Sequence, residues 1–137
     1  MKHLLTSSAL ALFVALAGCQ ETSRSNPETS IDARAETILA AMTLEEKIGQ
    51  IIQADIAAVT PAEVKEYNLG SVLNGGNSAP GGGVVAKPEE WVELADKYWR
   101  ASTDTSDGGL GIPAIWGTDA VHGHNNLQNA TMFPHNS

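Results

Sequence analysis

Leu110-Gly111-Ile112-Pro113-Ala114-Ile115-Trp116-Gly117-Thr118-Asp119-Ala120-Val121 is the stretch on which the fold turns. Its near-continuous apolar run, Ile112 to Trp116, lacks the alternation of a strand wetted on one face. Strands buried on both faces read this way, and they belong to parallel sheets. The strand is expected to end near Gly117, which leaves Asp119 at its carboxyl end.

Upstream, Gly70-Ser71-Val72-Leu73-Asn74 reads as another short strand. Between the two, Pro88 opens a helix with Trp91, Leu94, Ala95 and Tyr98 along one face. Glu93 with Lys97 and Asp96 with Arg100 stand one turn apart, a spacing that lets opposite charges pair. Ser102 to Gly109 reads as a polar loop. Strand, helix, strand is a βαβ unit, so an α/β class with a parallel sheet or barrel is expected.

Helices precede the unit. Ile38, Leu39 and Met42 share a face of a first helix that starts near Ser30. Thr43 and Glu46 have capping-box spacing. Leu44, Ile48, Ile51 and Ile52 follow as an apolar stripe expected to face a core. Thr60-Pro61-Ala62-Glu63 repeats the start signal with proline at the first helical position. Asn68 and Gly70 supply a left-handed stop. Two strands close no sheet, and a β/α barrel takes about 250 residues. The chain therefore reads as the opening part of a (β/α)8 TIM-like barrel, incomplete within 137 residues.

The amino terminus has a different character. Lys2 precedes an apolar run, Ala9 to Ala17, that is too short to span a bilayer, which takes about 20 residues. A basic start, a short apolar core and small residues before a cut site describe a secretory signal peptide. Leu16-Ala17-Gly18-Cys19 is similar to the lipobox of bacterial lipoproteins, where the cysteine takes a lipid. The expected organisation is a signal peptide over 1–18, a flexible polar tether over 19–30 and the barrel segment over 31–137. The expected location is the periplasm, with lipid on Cys19 anchoring the protein to the bacterial outer membrane. That lipid would be its only membrane contact. The single cysteine makes no internal disulfide. The net charge of −8 argues against nucleic acid as a partner and against docking on anionic lipid.

Chemistry concentrates after the second strand. Asp119 at a strand's carboxyl end can accept hydrogen bonds from adjacent sugar hydroxyls, or it can simply hold the next turn. His122 and His124 at i, i+2 have metal-ligand spacing on an extended segment, with Asp119 or His135 able to complete a set. Gly123, Asn125 and Asn126 favour a tight turn instead. The glycine loop Gly75 to Gly83 lacks a Gly-Lys-Ser/Thr ending, which argues against a P-loop. It reads as a loop at a site mouth or as a plain linker. Trp91, Trp99 and Trp116 offer flat faces for a pyranose, although the register of Trp91 favours the core.

Taken together, Met42 to Gln50, Gly70 to Gly76, Gly117 to Asn126 and Ala130 to Asn136 resemble glycoside hydrolase family 3. Within it, the likeness is to exo-acting β-glucosidases and β-glucan glucohydrolases of bacteria and plants. The resemblance implies a β/α barrel followed by an α/β sandwich domain. It implies removal of terminal, non-reducing β-D-glucosyl residues from β-glucans or oligosaccharides by a retaining mechanism, with no metal or organic cofactor. Two carboxylates carry such a reaction, one as nucleophile and one as acid/base. Both lie beyond Ser137 in the family pattern, so the chain is expected to be an N-terminal fragment without activity of its own. Asp119 matches the family aspartate that binds the terminal sugar. His122, His124 and Asn125 match positions that shape its loop. A metal-dependent barrel hydrolase using His122 and His124, and a lipid-anchored sugar-binding module, are the alternatives.

Overall fold

The computed structural model describes residues 30–134. Cys19, His135 and Asn136 lie outside them, as do the expected signal peptide and nearly all of the tether. The elements run α1 (Ile31–Ala41), α2 (Leu44–Gln50), β1 (Gln53–Asp55), α3 (Pro61–Glu66), β2 (Ser71–Gly75), a 3₁₀ turn (Pro80–Gly82), α4 (Pro88–Thr103) and β3 (Ile115–Asp119). Among the described residues no helix is long and apolar enough to cross a membrane.

The helix starts follow local chemistry. The Ser30 hydroxyl accepts from the Ala33 amide at 3.2 Å. Thr43 with Glu46 and Thr60 with Glu63 both form complete capping boxes. Each satisfies two amides that a helix start leaves without partners. On α4, Lys97 pairs with Glu93 at 2.8 Å and Arg100 with Asp96 at 2.7 Å.

The strands form one parallel sheet in the order β1-β2-β3. Val72 pairs with Ala54 on one side and Trp116 on the other, and Gly75 pairs with Asp119. Side chains alternate across a strand, so Ala54, Val72 and Trp116 share one face. That face packs on α3 and α4 through a core of Val64, Leu69, Val72 and Tyr98. A second cluster, Ala79, Ala86 and Trp91, continues it under the glycine loop, with Leu127 against it. Trp91 meets Trp116 edge to face at 6.4 Å, and Trp116 lies 5.8 Å from Tyr98. Such aromatic pairs add about 0.5–1.5 kcal/mol beyond the area they bury. The opposite sheet face carries Asp55, Leu73, Gly117, Ile115 and Asp119, and Ile115 is 68% exposed there.

Several expectations need correction. The sheet has a third strand, β1, between the second and third helices, where the sequence reading named no element. The helix ends at Gln50, so Ile51 and Ile52 fall outside it. The stripe does not face the core: Leu44, Ile48, Ile51 and Ile52 are all exposed. On α1, Ile38 and Leu39 are exposed as well, and no residue of that helix is buried. Helix α2 is instead held by hydrogen bonds to the segment after α3. Gly70 N–H donates to Gly49 O at 3.0 Å, and Gln50 Nε2 donates to Asn68 O at 2.8 Å.

Asn68 takes the expected left-handed conformation with φ 52°, but Gly70 does not. Gly70 is needed for a different reason: a Cβ there would stand 2.0 Å from Gln50 O. The last strand begins at Ile115 rather than Leu110 and runs on through Asp119. Pro113 has no amide to give a ladder, and the Ala114 amide donates to the Ser102 hydroxyl instead. Helix α4 extends to Thr103, taking in the first two residues of the expected loop.

Candidate active site

Asp119 ends β3 beside Gly75 of β2 and is exposed. The open ends of parallel strands at their carboxyl side are where α/β sheets bind ligands. Two features deliver the carboxylate there. Gly117 leaves room for the Gln53 side chain, whose Nε2 lies 2.9 Å from where a Cβ would stand. Behind the strand, Asn74 Nδ2 donates to Gly117 O at 2.5 Å and Thr118 Oγ1 donates to Asn74 Oδ1 at 3.0 Å. Asn74 is fully buried, and these bonds tie β3 to β2.

A cleft of about 170 Å³ opens at this end, lined by Gly76, Asp119, Val121, His122, Gly123 and Asn125. Three of the four residues expected in the site, Asp119, His122 and Asn125, thus meet around one hollow. A larger hollow of about 500 Å³ lies at the amino ends of β2 and β3, between α2, α3 and the Ser102–Ile112 segment. Its prominent cation, Lys65, is already paired with Asp104 at 2.6 Å and Asp107 at 3.3 Å. The hydrogen bond from Lys65 holds the Asp104 carboxyl down at about 2. The smaller cleft is therefore the better candidate: its carboxylate forms no salt bridge to a described residue and stands at the end of the sheet where ligands bind.

The two histidines diverge. His122 Nδ1 donates to Phe133 O at 2.8 Å; a carbonyl only accepts, so the proton sits on Nδ1. The Phe133 amide returns a bond to His122 O at 2.7 Å. His122 thereby staples the Ala120–Asn126 loop to the chain near Phe133. His124 turns the other way and packs its ring on Trp91, 4.6 Å between centroids. Gly123, with φ 118°, makes the divergence possible. A Cβ there would also come within 2.7 Å of Thr131 O. Among the described residues no three His, Cys, Asp or Glu side chains gather as a metal set.

Asn125 is exposed at the cleft, whereas Asn126 is 2% exposed and bonds Gly76 O at 2.8 Å and Val84 O at 2.6 Å. Sequence reasoning placed Asn126 only in a turn and gave Asp55 no part. The paired asparagines after a His-Gly-His turn were the available signal for the first. Of the tryptophans, Trp91 belongs to the core, Trp116 packs on the helix side of the sheet, and Trp99 is exposed on α4.

The family profile described as "Glycosyl hydrolase family 3 N terminal domain" matches residues 43–137. A lysosomal beta glucosidase from Dictyostelium discoideum is 30% identical over 123 residues, covering 77% of this chain and 14% of that protein. An exo-1,3/1,4-beta-glucanase from a Pseudoalteromonas species has a solved structure that superposes with a TM-score of 0.70. It is 46% identical, over 77% of this chain and 13% of that one. A single-site variant of the same glucanase superposes with a TM-score of 0.69, over 17% of its length. The chain thus spans less than a fifth of each of these relatives. With the parallel sheet, the aspartate at its carboxyl end and a profile match across most of its length, the chain belongs to glycosyl hydrolase family 3, in the N-terminal domain of that family.

Proposed function

We propose that this chain forms the first strands of a β/α barrel in a retaining glycoside hydrolase. The enzyme removes terminal β-D-glucosyl residues from the non-reducing ends of β-glucans or gluco-oligosaccharides. The observation that carries the reading is the exposed Asp119 carboxylate at the carboxyl end of β3, in a cleft shared with His122 and Asn125. The names of the relatives, a beta glucosidase and an exo-1,3/1,4-beta-glucanase, support the substrate class. The uncovered sheet face supports the barrel, because parallel sheets are covered on both faces.

In this reading Asp119 grips hydroxyls of the terminal sugar. His122 and His124 hold the loop around it, and Asn125 stands at the rim. The nucleophile and acid/base come from the rest of the full-length enzyme. The proposal includes a signal peptide over 1–18, a tether over 19–30, and a periplasmic protein held to the outer membrane by lipid on Cys19. The lipobox-like run Leu16 to Cys19 supports this.

The test is Asp119→Ala in the full-length protein, assayed on an aryl β-glucoside. A hydrogen bond to a charged group is worth about 1.5–3 kcal/mol, so kcat/KM should fall by roughly ten- to 150-fold for each bond lost. Activity within about threefold of wild type would remove Asp119 from the site.

A further inference from the structure

The turn Gly75–Ser78 forms a wall beside Asp119, and its shape is held from outside. Gly75 and Gly76 have φ of 85° and 57°, the left-handed region that favours glycine. The Gly75 amide donates to Ser78 O at 2.9 Å, and the Ser78 amide donates to Gly75 O at 2.8 Å. The near end of the turn is tied by Asn126, whose Nδ2 donates to Gly76 O. The far end is tied by Asp55: Ser78 Oγ donates to Asp55 Oδ1 at 2.5 Å. The same oxygen accepts from the Ala57 amide at 2.7 Å, which aims the carboxylate. Between the two ties, the turn runs close beside the site aspartate. A Cβ on Gly76 would lie 3.2 Å from Asp119 Oδ2, and one on Gly75 would lie 2.5 Å from Asp119 O.

Asp55 ends β1 and Asp119 ends β3, so the turn after β2 sits between the ends of its two neighbours. We propose that Asp55 is a positioning residue: through Ser78 it sets the Gly75–Ser78 turn against Asp119 and so fixes the width of the sugar cleft. The proposal rests on the reading of Asp119 as a sugar-binding carboxylate. Asp55 touches no substrate in this scheme. Its effect travels through one hydrogen bond and the turn which that bond ties down. A site residue displaced by a fraction of an ångström loses its productive geometry.

The experiment compares Asp55→Ala, Ser78→Ala, Asp55→Asn and the double Asp55→Ala/Ser78→Ala variant in the full-length protein. Each is assayed on an aryl β-glucoside well below its own melting temperature. Both single alanine variants should lower kcat/KM by about tenfold or more. Asparagine keeps an acceptor for Ser78 Oγ and the Ala57 amide, so Asp55→Asn should stay within about threefold of wild type. The double variant should match the worse single one, because both remove the same bond. Single alanine variants within about threefold of wild type, multiplying losses, or an Asp55→Asn variant as poor as Asp55→Ala overturn the proposal. A wild-type protein inactive on every β-glucoside sinks the enzymatic reading instead. Amide exchange then decides the positioning claim: Gly75 and Ser78 should exchange about tenfold faster in Ser78→Ala with the core amides unchanged, and equal rates refute it.

Discussion

At the scale of single residues, the chain separates charges that grip structure from the one at the cleft. Lys65 on α3 reaches across to Asp104 and Asp107 after α4. Its pKa is raised, first by the hydrogen bond to Asp104, and Asp104 is held at about 2 against an ordinary 3.8. The depressed carboxyl contributes stability above pH 3.8 that is lost as the pH falls through about 2. The raised lysine contributes stability below pH 10.5 that is lost as the pH rises through its folded value. Lys65→Met in the full-length protein should therefore lower Tm at pH 7, with the difference closing as the pH approaches about 2. Calorimetry across that range is the check, and added salt should narrow the gap because the carboxylates stand at the surface. Asp119 was legible in the sequence as the acid after an apolar strand. Asp55 was not, since a lone Gln-Ala-Asp between Ile52 and Ile56 carries no periodic signal.

At the scale of elements, helix starts were legible and one helix end was not. The boxes at Thr43 and Thr60 are local chemistry, complete within four residues. The end of α2 depends on residues almost twenty positions away, where Tyr67, Asn68 and Gly70 meet Gly49 and Gln50. A Cβ on Gly49 would stand 2.0 Å from Tyr67 O and 2.7 Å from Asn68 O. Backbone does not yield as a side-chain tip does, so Gly49→Ala should destabilise the full-length protein by about 1–3 kcal/mol or more. Chemical denaturation measures it, and an unchanged midpoint would show that α2 stands off from α3. By contrast Gly81, which has nothing within 4 Å, keeps its φ of 75° as its only constraint.

For the whole molecule, the sheet is covered on one face and open on the other. Ile51 is 85% exposed, and Leu44, Ile48 and Ile115 stand in water as well. Both outer strands, β1 and β3, have an edge without a neighbour in this sheet. Unpaired edges and bare aliphatic surface recruit other chains. Residues 30–137 expressed alone should therefore self-associate, which sedimentation velocity would reveal as a concentration-dependent shift; a stable monomer with a sharp melt would contradict this. At the amino terminus, Cys19→Ser in the full-length protein should abolish labelling by radioactive palmitate in a bacterial host, and persistent labelling would refute lipidation there.

Short-range chemistry was complete in the order of residues alone: the capping boxes, the buried face of α4, the left-handed turn at Asn68, and the placing of Asp119 at the carboxyl end of an apolar strand. These need only neighbours a few residues along. Three other features were set by the closed fold: that Gln53–Asp55 is a strand, that α2 ends at Gln50 with Ile48 facing outward, and that His122 and His124 part company. Each depends on partners far along the chain: β2 for the strand, Tyr67–Gly70 for the helix end, and Trp91 and Phe133 for the two rings. The energy that selects among them comes from backbone ladders and ring contacts formed only once the chain has closed on itself, which no local pattern encodes.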